Sequence, residues 1–532
     1  MADDLLTASS FRCLERRERP RREIRRCALR LVTDVGDIIF VRPYERQPRP
    51  RTCSRRSVKY KFLLIASLVT FGFAWLANAG GMERIGHTTL TPRHSNPDDK
   101  GMYAAVIDTT NGYAYFVGSY LFKLDITGNL PMQVGPALNT GQFTQGTIDP
   151  AAGYLYLARN TVNRYALGTG TNAITSAGSL TLAAGSAAEI VIDDSDPNPA
   201  NHYGYVVCTV AGSPARVAKV ALSSFTELGS VTLNAGETNF LFAGAVDAQK
   251  GYAYFAGFSG GSVSGIPSVV KIKLTPGNNP PARVGAVNLD TVGAVIDGGA
   301  IDTMHGYAYY GTYDSDASVP SKVYKVKLEE GDVAPTLVGK ISLHAGEGRL
   351  SASVVDPANG YVYFANDNTY PGGVYQIALN GTNPPIETAY LQLQGGTDTP
   401  PPNGITTNNT TTNLDGVLPF GEVFFRSAVF DPARGYAYLG QDTRPNQIVK
   451  VKLAKDTPVI TSAARLPGGA FQFGFTFTPG VACMALGATN AAVPLADWSV
   501  LGGVAEVAVG QFQFTDPEAT NSSQRFYRFR SP

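Results

Sequence analysis

The sequence predicts an all-β protein made of repeated four-stranded units, followed by a smaller β domain. Seven times along the chain, an aspartate precedes a Gly-Tyr pair, an aromatic-rich apolar run and a segment similar to Val-Lys-Val-x-Leu. One copy reads Asp302-Thr-Met-His-Gly-Tyr-Ala-Tyr, and the third, from Asp193 to Tyr205, is lengthened by an insert. Repeats of roughly 40 to 55 residues with four short strands each are typical of a propeller. The predicted fold is therefore a seven-bladed β-propeller closed by an N-terminal strand, followed by a small β-sandwich.

The fifth copy predicts the four strands of one blade. The first strand ends at Asp302, and a turn over 303–305 follows it. Residues 306–312, 322–328 and 337–343 supply the second, third and fourth strands. Each segment is a run of four to eight residues, enriched in β-branched or aromatic side chains and bounded by turn signals.

Tyrosines and lysines recur with a period of two in the second and third strands. Tyr307 and Tyr309 therefore point to one face of their strand, where they can stack against the adjacent blade. The lysines of Val270-Lys-Ile-Lys-Leu and Ile448-Val-Lys-Val-Lys-Leu share a face in the same way. We expect these lysines to be solvated and to discourage edge pairing, because a basic stripe for nucleic acid would be dispersed over different blades.

The repeated aspartate is predicted to cap a turn. It lies four residues before the glycine in six copies, and an Asp that opens a tight turn bonds its own backbone while Gly takes the positive φ. His305 occupies a position of this turn that other copies fill with Asn, Ala, Lys or Arg. Neither residue type is therefore assigned to a metal or catalytic site.

The chain ends of the repeat region predict how the ring closes. Residues 84–90, ahead of the first full copy, resemble the fourth strand that begins at Val284. After the seventh copy the chain passes from Leu453 into a differently patterned segment. We expect the N-terminal strand to form the outer strand of the last blade, because such closure removes open edges.

Residues 82–453 resemble the YVTN and NHL-like families of secreted bacterial seven-bladed propellers. In these families the loops from strand four to the next blade, and from strand two to strand three, gather at one mouth of the central channel. The resemblance implies an acidic ring there, formed by Glu237, Glu347, Glu422, Asp314, Asp316, Asp367 and Asp442. Such a ring could hold a glycan, a basic peptide or a divalent cation. The alternative is that each glutamate caps its own loop or pairs locally.

A long insertion separates the sixth and seventh copies. Residues 395–420 are polar and Thr-rich, and they include Pro400-Pro-Pro402. Loops of this length inside a compact domain are usually functional or disordered. We therefore leave two interpretations open, a lid over the acidic mouth and a disordered decoration.

The first 79 residues predict export. Residues 1–57 are an arginine-rich leader, either disordered or the product of a misassigned start, with Val58 a candidate initiator. Residues 58–79 combine a positive flank, an apolar run and Ala77-Asn-Ala79, the pattern of a signal peptide. The protein is expected to be periplasmic, extracellular or cell-surface, and to be held at a membrane only if this segment stays as an anchor.

The charge balance limits the expected classes of partner, and the cysteine content limits the possible disulfides. The first 79 residues hold 17 Lys and Arg against 8 Asp and Glu, so residues 80–532 hold 27 against 35 and are net acidic. Nucleic acid is therefore not expected as a partner, since it requires clustered basic residues. Cys208 and Cys483 follow the signal segment and are expected to be buried thiols, with a disulfide as the alternative.

Residues 458–532 predict a separate β-sandwich, because Phe alternates with small or polar residues, as in Ala470-Phe-Gln-Phe-Gly-Phe-Thr-Phe. The segment resembles a C-terminal module ending in Phe-Tyr-Arg that is found on many secreted bacterial proteins, through Trp498, Phe512-Gln-Phe514, Asp516 and Phe526-Tyr-Arg528. Trp498 is expected in the core, and a carbohydrate-stacking platform is the alternative.

The functional prediction is an exported, non-catalytic binding, adhesion or scaffold protein that uses the acidic loop face. No HExxH, P-loop or dinucleotide-binding motif is recognised, and the GxSxG match at 257–261 lies within a β-repeat rather than at the strand-to-helix turn of a nucleophile elbow. No resident cofactor or metal site is predicted. The expected partner is a glycan or a protein at the cell surface. The alternative is a propeller hydrolase or lyase acting on polysaccharide with carboxylates from different blades.

Overall fold

The computed structural model of the chain describes the following residues: 32–34, 37–41, 81–91, 101–141, 145–210, 214–235, 237, 240–258, 266–290, 295–313, 320–344, 348–367, 372–393, 422, 424–442, 446–454, 458–477, 482–490, 493, 497–508, 510–521 and 524–530. The predicted signal segment 58–79 and the insertion 395–420 lie outside them. Within the described ranges, no helix has the length and apolar character needed to cross a bilayer.

Seven of the nine antiparallel sheets in the described residues form the repeat region, and we number them as blades 1 to 7. In blades 1 to 6 the strands lie side by side in chain order, whereas the outer strand of blade 7 comes from the start of the repeat region. Blade 1 has Ala104–Asp108, Tyr113–Val117 and Tyr120–Asp125, with its outer strand in two pieces, Met132–Gln133 and Leu138–Asn139. Blade 2 has Gln145–Asp149, Tyr154–Arg159, Thr161–Ala166 and Thr175–Leu180. Blade 3 has Ser186–Asp193, Tyr203–Thr209, Arg216–Ala221 and Thr226–Thr232. Blade 4 has Phe240–Asp247, Tyr252–Phe258, Pro267–Lys273 and Ala282–Asn288.

Blade 5 has Val295–Asp302, Tyr307–Tyr313, Lys322–Lys327 and Thr336–Ser342. Blade 6 has Leu350–Asp356, Tyr361–Asn366, Gly373–Ala378 and Ile386–Gln392. Blade 7 has Phe425–Asp431, Tyr436–Gln441 and Gln447–Lys452, with Glu83–Thr89 as its outer strand. The first strand of each blade contacts the first strands of the two neighbouring blades, and blade 7 contacts blade 1. The sheets therefore form a closed β-propeller with the first strands around a central channel.

The ring closes as the sequence predicts. Glu83–Thr89 pairs antiparallel with Gln447–Lys452, so the start of the repeat region completes the last blade. The strand prediction for blade 5 is also confirmed within one residue at each end. Because the outermost strand of blade 7 comes from the opposite end of the propeller sequence, the ring is held shut by backbone hydrogen bonds.

The repeated aspartates cap their turns as predicted. Asp302 Oδ1 accepts the backbone N–H of His305 at 3.0 Å, and the same bond recurs in blades 1, 2, 4, 6 and 7. Gly306 follows at a φ of +77°. His305 Nδ1 lies 2.8 Å from Asp302 Oδ2, which keeps the histidine within its own turn.

The third-strand lysines correct the sequence prediction, because the first lysine of each pair is buried. Lys271 is fully buried against the ring of Tyr252, with Nζ 4.0 Å from the ring centroid. It donates to the carbonyls of Leu328, Glu329, Gly331 and Val333, in the turn between strands three and four of the next blade. Period-two alternation identifies the shared face correctly, but it does not show that the neighbouring turn covers that face.

The same link recurs around the ring. Lysines in blades 1, 3, 5 and 7 and an arginine in blade 2 reach the equivalent turn of the next blade; they are Lys123, Lys219, Lys325, Lys450 and Arg164. Second-strand tyrosines strengthen the contact, since the hydroxyl of Tyr254 donates to Leu328 O and that of Tyr309 to Leu379 O. Adjacent blades are therefore joined by polar links as well as by apolar packing.

Residues 458–532 form two packed sheets. One contains Val459–Arg465, Phe471–Thr476, Gln511–Asp516 and Ala505–Ala508, and the other contains Met484–Ala488, Ser499–Gly503 and Phe526–Arg530. Their core includes Phe473, Phe512 and Tyr527. Trp498 is 5 % exposed and donates to Val493 O, so it is a core residue.

Part of the predicted leader 1–57 pairs with this sandwich. Val32–Asp34 pairs with Asp37–Val41, and the latter pairs with Phe526–Arg530. Cys208 and Cys483 are free and buried, as expected.

Candidate functional site at the mouth of the central channel

A cavity of about 300 Å³ lies in the central channel, lined by residues from the first strand region of every blade. Glu189, Asp297 and Arg426 are its charged members among the described lining residues, and Tyr103 lies beside them. Asp297 and Arg426 lie near the beginning of their first strands, and Tyr103 lies just before its own. The loops that leave strand four of the preceding blade and strand two of the same blade lie at this end of the channel. Tyr103, Asp297 and Arg426 therefore lie at the end of the channel where the acidic ring was predicted.

β-Bulges direct two of these charged side chains into the channel. In blade 5 the register shifts between Ile296 and Gly298, which leaves Asp297 as the extra residue, and in blade 7 it shifts between Phe425 and Ser427 around Arg426. An extra residue in one strand leaves the ladder and turns its side chain away from the regular alternation. The bulges thus place a carboxylate and a guanidinium at one level of the channel.

Arg426 is surrounded by three carboxylates, one from the first strand of blade 5 and two that directly follow the second strands of blades 6 and 7. Its Nη1 donates to Asp297 Oδ2 at 3.2 Å, its Nη2 lies 2.8 Å from Asp367 Oδ2, and its Nε lies 3.8 Å from Asp442 Oδ2. The guanidinium also lies 5.4 Å from the ring centroid of Tyr103. Blades 5, 6, 7 and 1 therefore converge on one arginine, which we call the Arg426 cluster.

Burial sets the ionisation of this cluster. It raises the pKa of Asp367 to about 8, although the Arg426 charge opposes the shift. Burial also disfavours the guanidinium, but Asp367 and Asp297 outweigh it and raise the pKa of Arg426. The arginine therefore stays charged at neutral pH.

Glu189 lies across the channel from the cluster, because blade 3 is separated from blade 7 by blades on both sides. Its side chain is 4 % exposed, and Oε1 accepts the Ile190 N–H at 3.2 Å. Within the described part of the chain, Oε2 is buried and has no hydrogen-bond partner. Burial raises the pKa of Glu189 to about 8, so the carboxyl is largely protonated at neutral pH.

Two of the predicted site residues are brought together and two are not. Asp367 and Asp442 both belong to the Arg426 cluster. Glu422, in contrast, accepts from Arg84 Nε and Nη2 at 2.6 and 2.5 Å, and Glu237 accepts from Arg283 in the same bidentate way. Both arginines lie on outer strands, so these glutamates join a loop to the outer strand of the following blade.

Glu347, Asp314 and Asp316 lie outside the described residues. In the described part of the chain, no three His, Cys, Asp or Glu side chains are grouped as a set of metal ligands. A divalent cation thus has no recognisable ligand set among these residues.

Tyr103, Asp297 and Arg426 are the channel residues that sequence reasoning missed. A signal for them exists, because each lies five residues before the turn aspartate of its blade, as does Ser351 in blade 6. Most of the repeat is similar from copy to copy, whereas this position holds Tyr, Asp, Ser and Arg. Variation at one fixed position of a repeat is the pattern expected of a surface that binds rather than packs.

No protein-family model matches the chain, and comparison with curated proteins gives no significant match. Among solved structures, the chain is similar to the crystal structure of RRP9 WD40 repeats, with a TM-score of 0.45 and 10% sequence identity. The similarity covers 70% of this chain and 100% of that one.

Proposed function

We propose that this protein is an exported binding protein whose ligand is recognised at the mouth of the propeller channel. The observation that carries the proposal is the cavity of about 300 Å³, lined by every blade and containing Glu189 and the Arg426 cluster. Concave sites with a few convergent polar groups and shifted pKa values are the usual position of ligand sites. A glycan or a protein at the cell surface is the proposed partner.

The propeller type, the signal peptide and the location of the protein are part of the same proposal. The YVTN or NHL-like type of propeller, the signal peptide at 58–79 and the periplasmic, extracellular or cell-surface location rest on sequence patterns. The acidic excess of residues 80–532 favours ligands with hydrogen-bond donors or positive charge over nucleic acid.

The test is a binding screen of glycans, peptides and divalent cations by thermal shift, on the full chain and two variants. Asp297→Asn removes a carboxylate from the cavity while keeping the shape of the side chain. Glu237→Gln is the matched control, because it makes the same carboxylate-to-amide change at the periphery of the ring. A ligand whose stabilisation is lost in the first variant and kept in the second supports a site in the channel. Ligands that stabilise both variants equally would place binding elsewhere and contradict the proposal.

A second candidate is a polysaccharide hydrolase or lyase. The observation that favours it is the pair of buried carboxyls with pKa values raised to about 8, Glu189 and Asp367, since such groups can act as general acids. Release of new reducing ends from a polysaccharide, abolished by Glu189→Gln, would support it. Ligands that bind without turnover leave the binding function in place.

A further inference from the structure

Glu189 is a buried acid with unused hydrogen-bonding capacity. The residue lines the channel cavity, its Oε1 accepts the Ile190 N–H, and the Gly244 N–H lies close enough to oppose the rise of its pKa. Oε2 is buried without a hydrogen-bond partner in the described part of the chain. Buried polar atoms are almost always hydrogen-bonded, so an orphaned carboxyl oxygen in a cavity wall requires an explanation. A ligand that donates a hydrogen bond to it is the simplest one.

Small residues on the neighbouring strands make room for the Glu189 side chain and border the cavity. A Cβ added at Gly244, on the adjacent first strand of blade 4, would lie 2.8 Å from the Glu189 Cγ. Ala243 and Thr147 line the cavity from the two neighbouring blades. Gly244 therefore lets the Glu189 side chain pack against the adjacent strand, and the small side chains of Ala243 and Thr147 leave the cavity beside it unfilled.

The charges that face Glu189 favour a cation. The neighbouring first strands, Gln145–Asp149 and Phe240–Asp247, contribute no ionisable side chain to the lining, and the groups across the channel are Asp297, Tyr103 and Arg426. Arg426 is the single base among the described lining residues, and it is already held by Asp297, Asp367 and Asp442. No positive charge on the described walls is therefore left to balance an ionised Glu189.

We propose that the channel cavity binds its ligand through a primary ammonium group, with Glu189 as the counter-ion. The inference rests on the proposed binding function and names the chemistry of the ligand. An ammonium is compact and carries three donors, one of which can bond the unpartnered carboxyl oxygen while its charge pairs with the carboxylate. A lysine side chain and an amino sugar both present this group.

Proton release is the expected signature of this pairing. Because burial raises the pKa of Glu189 to about 8, the carboxyl of the free protein is protonated at pH 7. Pairing with an ammonium ionises it, so about one proton leaves on binding at pH 7. Affinity therefore rises about tenfold from pH 6 to pH 7, since the amine itself stays charged over this range.

The experiment is titration calorimetry of the full chain in two buffers of different ionisation enthalpy. The probes are Nα-acetyl-lysine methylamide and glucosamine, each compared with its N-acetylated, uncharged analogue. We expect at least one amine probe to bind, its uncharged analogue to bind at least tenfold more weakly, and about one proton to be released. The preferred amine distinguishes a lysine side chain from an amino sugar.

Two variants test whether Glu189 releases the proton and contacts the amine. Glu189→Gln keeps the shape of the side chain and is expected to weaken the amine probe at least tenfold and to abolish proton release, while Glu237→Gln changes neither. Retained proton release in Glu189→Gln would overturn the proposal by assigning the proton to another group, such as Asp367. Equal binding of charged and uncharged probes, or no binding of either amine at millimolar concentration, would also overturn it. A neutral ligand found at the cavity by the thermal-shift screen would leave the binding function intact while refuting the ammonium.

Discussion

Replacing Lys271 by Met tests the link between blades 4 and 5. In the wild type its ammonium donates to four carbonyls of the next blade at 2.6 to 3.1 Å and lies over the Tyr252 ring. Methionine keeps the apolar stem but removes every donor. The carbonyls of Leu328, Glu329, Gly331 and Val333 then lose their shared partner.

The size of the effect follows from these contacts. Hydrogen bonds to a charged group contribute about 1.5–3 kcal/mol each, but burying the ammonium costs part of that gain. Burial is also the reason that the pKa of Lys271 is lowered. We therefore expect Lys271→Met to reduce the free energy of unfolding by about 3 kcal/mol, the upper end of the cost of leaving buried acceptors without their donor.

Lys273 supplies a matched control on the same strand. It lies two residues further along, is 44% exposed in its side chain and pairs only with the exposed Asp332 at 2.6 Å among the described contacts. Urea unfolding followed by far-ultraviolet circular dichroism should shift to lower urea in Lys271→Met and stay near the wild-type midpoint in Lys273→Met. Equal midpoints for the two variants would refute the interblade role of the buried lysine.

Three further predictions concern the channel and the closure. Glu189→Gln should remove a pH dependence of stability. A carboxyl whose pKa is raised from 4.5 to about 8 makes the folded state lose stability as the pH rises through that window. In urea unfolding, the free energy of unfolding of the variant should therefore exceed that of wild type by roughly 2–4 kcal/mol at pH 8 and match it at pH 5. An equal difference at both pH values would contradict this. Arg426→Met leaves Asp297 and Asp367 without their shared cation and should cost about 3–5 kcal/mol by the same measurement, whereas an unchanged midpoint would show that the cluster is not stabilising. Glu422→Gln weakens the bidentate pair with Arg84 and should speed hydrogen exchange in Glu83–Thr89 by local destabilisation of about 2 kcal/mol; unchanged protection there would argue against a clasp.

The repeat made most of the fold predictable from sequence. Each copy carries the same turn aspartate, glycine and tyrosine pair, so the strands of blade 5 could be placed within one residue. The closure by Glu83–Thr89 was predictable because that segment resembles a fourth strand without a blade of its own. The burial of Lys271 was not, since it depends on a turn that belongs to the next blade.

The candidate site was predictable only in part, because the topology fixes where the loop residues lie but not where the bulge residues lie. Asp367 and Asp442 follow second strands directly, so their position at the mouth comes from topology alone. Asp297 and Arg426 reach the channel through bulges, and the sequence of one strand does not show which residue is the extra one, because that depends on its register with the partner strand. Glu237 and Glu422 were predicted at the mouth but pair with arginines on outer strands, and the sequence does not show these pairs.

The clasp in blade 7 also constrains when the propeller can fold. Arg84 and Glu422 are 338 positions apart in the chain, so their contact waits until nearly the whole propeller has been synthesised. Until then Glu83–Thr89 is an unpaired strand, and blade 7 has an open edge that a strand of a second molecule could fill. Ring closure is therefore the step at which this protein can assemble wrongly, by exchanging its N-terminal strand with another copy.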